Sequence, residues 1–244
     1  MRIHTDLTPA ESYQDVVILI DVLRTSTVAP LLFERGLEEL ALTPSLRSAR
    51  GAAGEGWLLL GERQGVPAEG FNYGNSPSEL ATIDLTGKRA VMVSENLPRW
   101  LRNVSGAREV LLGSLYNAAA VAEVASRSAQ DRIALVGCGF EGEPDLDDAL
   151  GAGLLAAILG ERLPAALRSG ATRFALSLLR AFPDPMEALW QSVSGHYLRR
   201  VGLERDLAFA AQISVSGIVP RLVEQRPGAG SAPLYLFSPA PRPS

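Results

Sequence analysis

An α/β protein built on buried, mainly parallel strands is what this sequence predicts, and two observations carry the prediction. Several short runs of apolar, often β-branched residues leave no polar position for a wet face, as in strands covered on both sides. Each run then breaks into a polar or glycine-rich turn: Asp21, Glu62-Arg63, Ser94-Glu95-Asn96, Gly113-Ser114 and Gly137-Cys138-Gly139. In an open α/β sheet, ligand sites gather outside the carboxyl ends of parallel strands. The same arrangement after most strands therefore points to a single site, with Asp21, Glu62, Asp147 and Asp148 as its candidate acids.

The clearest run is VVILI at 16–20. Asp21 follows, then Arg24 and three hydroxyl residues, Thr25, Ser26 and Thr27. The apolar stretch from Val28 to Phe33 reads as the start of a helix, with Ser26 or Thr27 as its N-cap. A carboxylate, a guanidinium and hydroxyls at a strand-to-helix turn suit a metal-assisted phosphate site. The acid holds a hard cation, while Arg24 and the helix N-terminus hold the anion. Plain helix capping, with Arg24 on the surface, accounts for the same residues equally well.

Further along, 37–42 reads as a short strand, 46–53 as a short helix and 57–60 as a buried strand ending at Gly61-Glu62-Arg63. A long stretch rich in Gly, Pro and Asn follows, and its Phe71 and Tyr73 argue for an ordered, functional loop. Gly74-Asn75-Ser76-Pro77 then gives a turn, a capping Ser and a Pro at the first helical position, with Glu79 set for a capping box. Asn75 and Ser76 are thus caps, anion ligands or both. Strands are expected at 90–94, 109–112 and 133–136, and a helix from Asn117. Asp147 and Asp148 fall at the start of a small-residue helix, where acids also complement the helix dipole. Beyond Pro164 the chain reads as helices and loops, with Ser194 capping one helix and Gly202 separating two. Leu234 to Phe237 reads as an edge strand.

Composition narrows the function classes. With 244 residues, the chain is long enough for one α/β domain or two small ones. No apolar run reaches the length of a membrane span, and the first residues carry no signal-peptide core, so the expected location is cytoplasmic. The formal net charge is −4 and no basic run occurs, which argues against a nucleic-acid partner. Cys138 is the only cysteine, which excludes an internal disulfide and a cysteine-built metal site. No arginine follows it closely to bind phosphate, so it reads as a core residue at a strand end rather than a phosphatase nucleophile. His4 and His196 are the only histidines and lie far from the strand-end turns in sequence; His196 reads as structural. There is no G-x-S-x-G elbow, no phosphate-binding G-x-x-x-x-G-K-[ST] loop and no zinc-spaced His pair. Leu23 stands where an aspartyl-phosphate enzyme would place its second acid. Carboxylate and arginine chemistry with a hard metal remains, in which the metal polarises phosphate and activates water.

At this point DVLRTST, the GER stretch followed by EGFNYGNSP, GSLYNAAAVA and LDDALGAG, in that order, resemble the 2-phosphosulfolactate phosphatase family. The later SGHYLRRVGLERDLAFA resembles that family's C-terminal segment. The resemblance spans nearly the whole chain and implies a three-layer α/β/α arrangement, two-lobed, over residues 1–244 as a single domain. It implies a Mg²⁺-dependent phosphatase that hydrolyses 2-phospho-3-sulfolactate to 3-sulfolactate, a step in coenzyme M biosynthesis. Carried over, its motifs place Asp21, Arg24, Thr25, Ser26, Thr27, Glu62, Arg63, Asn75, Ser76, Asn117, Asp147 and Asp148 at or near the active site.

Within that set, Asp21, Glu62, Asp147 and Asp148 are the candidate metal ligands, and Asp21, Arg24, Glu62 and Asp148 the candidate catalytic group. Arg24, Thr25, Ser26, Thr27, Arg63, Asn75, Ser76, Asn96 and Asn117 would hold a small anionic phosphate ester, because arginine forks suit phosphate, sulfonate and carboxylate alike. The chain departs from the family over 94–99, where SENLPR replaces a Thr/Asn/Gly-rich segment and keeps only Asn96. It also carries Asp147 where the family more often has Glu. Two alternatives follow: a related phosphomonoesterase for another hydroxy-acid phosphate, and a non-catalytic anion-binding homologue. A homodimer is implied at family level only.

Overall fold

The computed structural model describes residues 1–10, 12–53, 56–63, 66–104, 106–228 and 232–241, with the side chains of residues 53 and 63 outside the described set. Its strands are β1 (Arg2–Asp6), β2 (Val16–Ile20), β3 (Glu39–Thr43), β4 (Leu58–Arg63), β5 (Val66–Pro67), β6 (Arg89–Val93), β7 (Glu109–Gly113), β8 (Arg132–Gly137), β9 (Leu167–Arg168), β10 (Pro220–Arg226) and β11 (Leu234–Pro239). Its helices are α1 (Thr25–Glu34), α2 (Leu46–Ala53), α3 (Pro77–Leu80), α4 (Leu97–Val104), α5 (Ala118–Ser128), α6 (Leu146–Arg162), α7 (Gly170–Ala181), α8 (Pro185–Gln191), α9 (Val193–Arg200) and α10 (Arg205–Ala210).

Among the described residues the strands form one mixed, mostly parallel sheet in the order β5-β4-β6-β3-β11-β10-β7-β2-β8-β1-β9. Two parallel blocks, β4-β6-β3 and β7-β2-β8-β1-β9, are joined by the antiparallel hairpin β10-β11. The α/β class expected from the buried runs is the class observed. β2 is buried at every position, because β7 and β8 flank it and helices cover both faces. Its side chains alternate between two cores. Ile18 and Ile20 pack with α5 and α6, whereas Val17 and Leu19 pack with α1 and α4. No helix among the described residues is long and apolar enough to cross a membrane.

Several local expectations are corrected. α1 begins at Thr25 rather than Val28, with Arg24 at the N-cap and no side-chain cap. Ser26 and Thr27 sit inside the first turn because their hydroxyls bond elsewhere: Ser26 Oγ accepts the Asp21 N–H (2.9 Å), and Thr27 Oγ1 donates to the Val22 carbonyl (2.8 Å). Ser76 precedes α3 but makes no side-chain cap, so the capping box with Glu79 does not form; its hydroxyl is taken by Asp206. Ser192, not Ser194, caps α9 by accepting the Gly195 N–H (2.9 Å). β11 is an interior strand between β3 and β10, not an edge, and its Tyr235, Leu236 and Phe237 are buried. Strands β1 and β10 and helix α4 lay outside the sequence expectations. β1 buries only Ile3 and Thr5, and β10 is largely exposed, so neither offers a long apolar run.

Candidate active site

The turns after β2, β6 and β8 and the end of β4 converge on one cleft of about 200 Å³. Asp21, Arg24, Thr25, Glu62, Asn75, Ser94, Glu95, Asn96, Phe140, Glu141, Ser194 and Tyr197 line it. Strand-end polar residues expected to gather in one place thus line a single cleft. Of the expected residues, Asp21, Arg24, Thr25, Glu62, Asn75 and Asn96 reach the cleft.

Arg24 is its centrepiece and is 5 % exposed. Its Nη1 donates to Asp206 Oδ2 (2.7 Å), and its Nη2 donates to Asn75 Oδ1 (2.6 Å) and pairs with Glu62 Oε1. A buried guanidinium needs such partners, since an isolated charge out of water is expensive. Asp206 is fully buried and in turn accepts from Ser76 Oγ (2.6 Å), Ser78 Oγ (2.7 Å) and the Ser78 N–H (3.3 Å). The turn before α3 and the start of α10 are therefore tied to Arg24 through one carboxylate. Asp206 was not among the candidates. The only signal for it was an acid in the C-terminal LERDLAFA segment, 182 residues from its partner.

Beneath the cleft lies a group of buried acids. Asp148 accepts the N–H groups of Val22 (2.9 Å), Cys138 (3.0 Å) and Gly139 (2.8 Å), clamping the ends of β2 and β8 together. Asp147 Oδ2 accepts the Leu23 N–H (3.2 Å). Asp145, the N-cap of α6, accepts from the N–H groups of Leu146, Val193 and Ser194 and from Ser194 Oγ, joining α6 to α9. Among the described residues, Asp21 Oδ2 and Asp147 Oδ1 are buried with no hydrogen-bond partner.

These acids perturb one another. Burial pushes the Asp147 carboxyl well up from its ordinary value, and the charges of Asp148, Asp145 and Asp21 push it further. Burial and the Asp21 charge also raise Asp148, against the pull of the Val22 and Gly139 N–H groups. Asp21 is raised by burial, opposed by bonds from Thr25, the Arg24 charge and the Leu97 N–H. Cys138 is buried beside them, its thiol pushed well up by burial and by the same acids, which fits a core residue and not a nucleophile.

The remaining expected residues take other places. Ser26, Thr27, Ser76, Asn117, Asp147 and Asp148 are buried and do not line the cleft. Asn117 bridges the end of β7 to the approach to β10: its Oδ1 accepts the Ser114 N–H, and its Nδ2 donates to the Leu112 and Ile218 carbonyls. Arg63 has its side chain outside the described residues. His196 contacts Arg199 and His4 contacts Asp6, both away from the cleft. The sequence reading also missed Phe140 and Tyr197, whose rings lie 6.1 Å apart and form an aromatic wall.

Fold and site together define an α/β protein with a cleft at strand ends, centred on a buried arginine and built over buried carboxylates. Residues 3–225 match the family model described as 2-phosphosulpholactate phosphatase. The chain is 41% identical to a probable 2-phosphosulfolactate phosphatase of Thermus thermophilus, over 91% of this chain and 94% of that protein. Its identity to the probable 2-phosphosulfolactate phosphatase of Deinococcus radiodurans is also 41%, with the same coverage. A Synechococcus protein of the same description is 35% identical over 88% of this chain and 94% of its own length. The chain belongs to the 2-phosphosulfolactate phosphatase family.

Proposed function

We propose that this protein is a Mg²⁺-dependent phosphomonoesterase that hydrolyses 2-phospho-3-sulfolactate to 3-sulfolactate and phosphate. The observation that carries the metal part is the pair of buried carboxylate oxygens without partners, Asp21 Oδ2 and Asp147 Oδ1, in mutually repelling acids beside the cleft. Among the described residues no three His, Cys, Asp or Glu side chains form a ready cage. Magnesium does not need one: it is commonly held by one or two carboxylates with water and substrate phosphate. Asp21 and Asp147 fit that role. Glu62 and Asp148, also candidate ligands, already serve Arg24 and three backbone N–H groups respectively. Bound there, Mg²⁺ would offset phosphate charge and favour attack by water on phosphorus.

The chain's own groups account for the rest. Arg24 is held in one orientation by Asp206, Glu62 and Asn75 and lines the cleft, where a guanidinium suits an anionic oxygen. Thr25 and Ser94, hydroxyl to hydroxyl at 2.9 Å, add polar groups on the cleft wall. Thr25, the first residue of α1, lines the same space, so the helix dipole favours negative charge there although the N–H groups of Ser26 and Thr27 are already bonded.

A second reading has its own observation. Glu95 and Glu141 line the cleft, adding carboxylates that disfavour an extra sulfonate. Under it, the substrate is another hydroxy-acid phosphate. Released phosphate measured with 2-phospho-3-sulfolactate, 2-phospholactate and 2-phosphoglycerate, each with Mg²⁺, separates the two. The main reading expects a clear preference for the sulfonate ester. Faster release from the esters lacking sulfonate overturns that substrate and supports the second. No release from any of them overturns both and leaves the non-catalytic anion-binding alternative.

A further inference from the structure

A second groove, of about 400 Å³, lies between β9 and α7, away from the cleft. Three arginines line it, Arg168 from β9 and Arg173 and Arg180 from α7, together with Ser177. Among the described residues no acid lines it, in a chain whose formal net charge is −4. Positions 173, 177 and 180 recur at helical spacing, so α7 presents them on one face. Among the described residues none of these arginines makes an ion pair or a side-chain hydrogen bond, and Arg168 Nε is buried without a partner.

Arg168 nonetheless packs closely on a neighbouring helix. Its guanidinium lies against Gly160 of α6, where an added Cβ would come within 2.3 Å of Nη2 and displace it. A guanidinium already desolvated on one side, with its Nε still unserved, loses little freedom on binding an anion. The groove sits toward the C-terminal end of α6, whereas Asp147 and Asp148 sit at the other end, about 18 Å of helix away.

We propose that this groove is a second anion site, built for a compact polyanion carrying two or more phosphate or carboxylate groups. Three cations around one cavity match such a ligand and exceed what a monoanion can neutralise. The site is separate from the cleft in residues and in charge, and it needs no metal: its cations are the protein's own.

Calorimetric titration of the metal-free protein with inorganic pyrophosphate, in buffer stripped over a chelating resin, tests this. Wild type should bind one equivalent in this groove, beyond any held by the cleft, weakening as NaCl is raised. The double variant Arg173→Gln/Arg180→Gln changes two exposed side chains, so the fold should hold, and it should lose that equivalent or bind about tenfold or more weakly. Asp21→Asn, in the cleft, should leave the binding unchanged. An absence of binding to wild type at millimolar pyrophosphate, or equal binding by the double variant, overturns the proposal.

Discussion

Arg24 and Asp206 stand 182 residues apart in sequence and meet at 2.7 Å, one 5 % exposed and the other fully buried. The bond joins the first strand-to-helix turn to one of the last helices, so the cleft closes only when the C-terminal part of the chain is docked. Removing one partner of such a buried pair leaves an uncompensated charge. Asp206→Ala should therefore destabilise the protein by about 3–5 kcal/mol, read by urea unfolding. Asp206→Asn keeps the shape and should cost less stability while still lowering kcat/KM, because Arg24 loses its orienting charge. Unchanged stability and kinetics in both variants would remove Arg24–Asp206 from the account.

Asp148 separates an anchor from a metal ligand. Its oxygens serve three backbone N–H groups, and an asparagine can accept with only one oxygen. Asp148→Asn should lower the melting temperature of metal-free protein, by the equivalent of about 2–3 kcal/mol. A variant as stable as wild type without metal, yet with weakened Mg²⁺ binding, would instead make Asp148 a ligand.

The buried acids give a pH dependence with a definite sign. Asp147, Asp148 and Asp21 have carboxyls raised in the folded state, so folding favours their protonated forms. Their contribution is fully present below the ordinary carboxylate value of 3.8 and is lost as pH rises through the raised values. Metal-free protein should thus melt lower at pH 8 than at pH 5.5, and Mg²⁺ should recover the difference. Asp147→Asn should raise the metal-free melting temperature at pH 8 and shrink the Mg²⁺ effect. Thermal scans at the two pH values check both.

Asp15 behaves in the opposite sense. Burial pushes its carboxyl up, but the N–H groups of Arg132 and Asp131, the Arg108 guanidinium and the Gln130 N–H outweigh it and bring the value from 3.8 down to about 2. A depressed carboxyl stabilises above its unfolded value and loses that contribution as pH falls through the folded one. Asp15→Asn should cost about 1 kcal/mol at pH 7, with allowance for solvent screening. The deficit relative to wild type should narrow as pH drops from 3.8 toward 2. Chemical denaturation at pH 7 and pH 3 reads the change.

What the sequence made legible follows from how locally each feature is encoded. β2 announces itself because five consecutive buried side chains leave no polar position, and Asp21 marks its end. β1, RIHTD, buries only alternate residues, and β10 only its first, so neither rises above a polar loop. Hydroxyls at a turn looked like caps, but Ser26, Thr27 and Ser76 are engaged by groups that local sequence does not reveal. Likewise the acid pair at 147–148 was visible, whereas the division of labour between them was not. It depends on which backbone N–H groups the β2 and β8 turns deliver, and that is set by tertiary structure. Asp206 is the extreme case: nothing near it in sequence shows that Arg24 is its partner.

Phosphate release from 2-phospho-3-sulfolactate, by wild type and Asp21→Asn, with Mg²⁺ and with EDTA, tests the proposed reaction and its metal together. A Mg²⁺-dependent phosphatase gives release by wild type with Mg²⁺, abolished by EDTA and restored by excess Mg²⁺, and a loss of about 100-fold or more in the variant. Release that persists in EDTA, or that is undiminished in Asp21→Asn, contradicts the proposal.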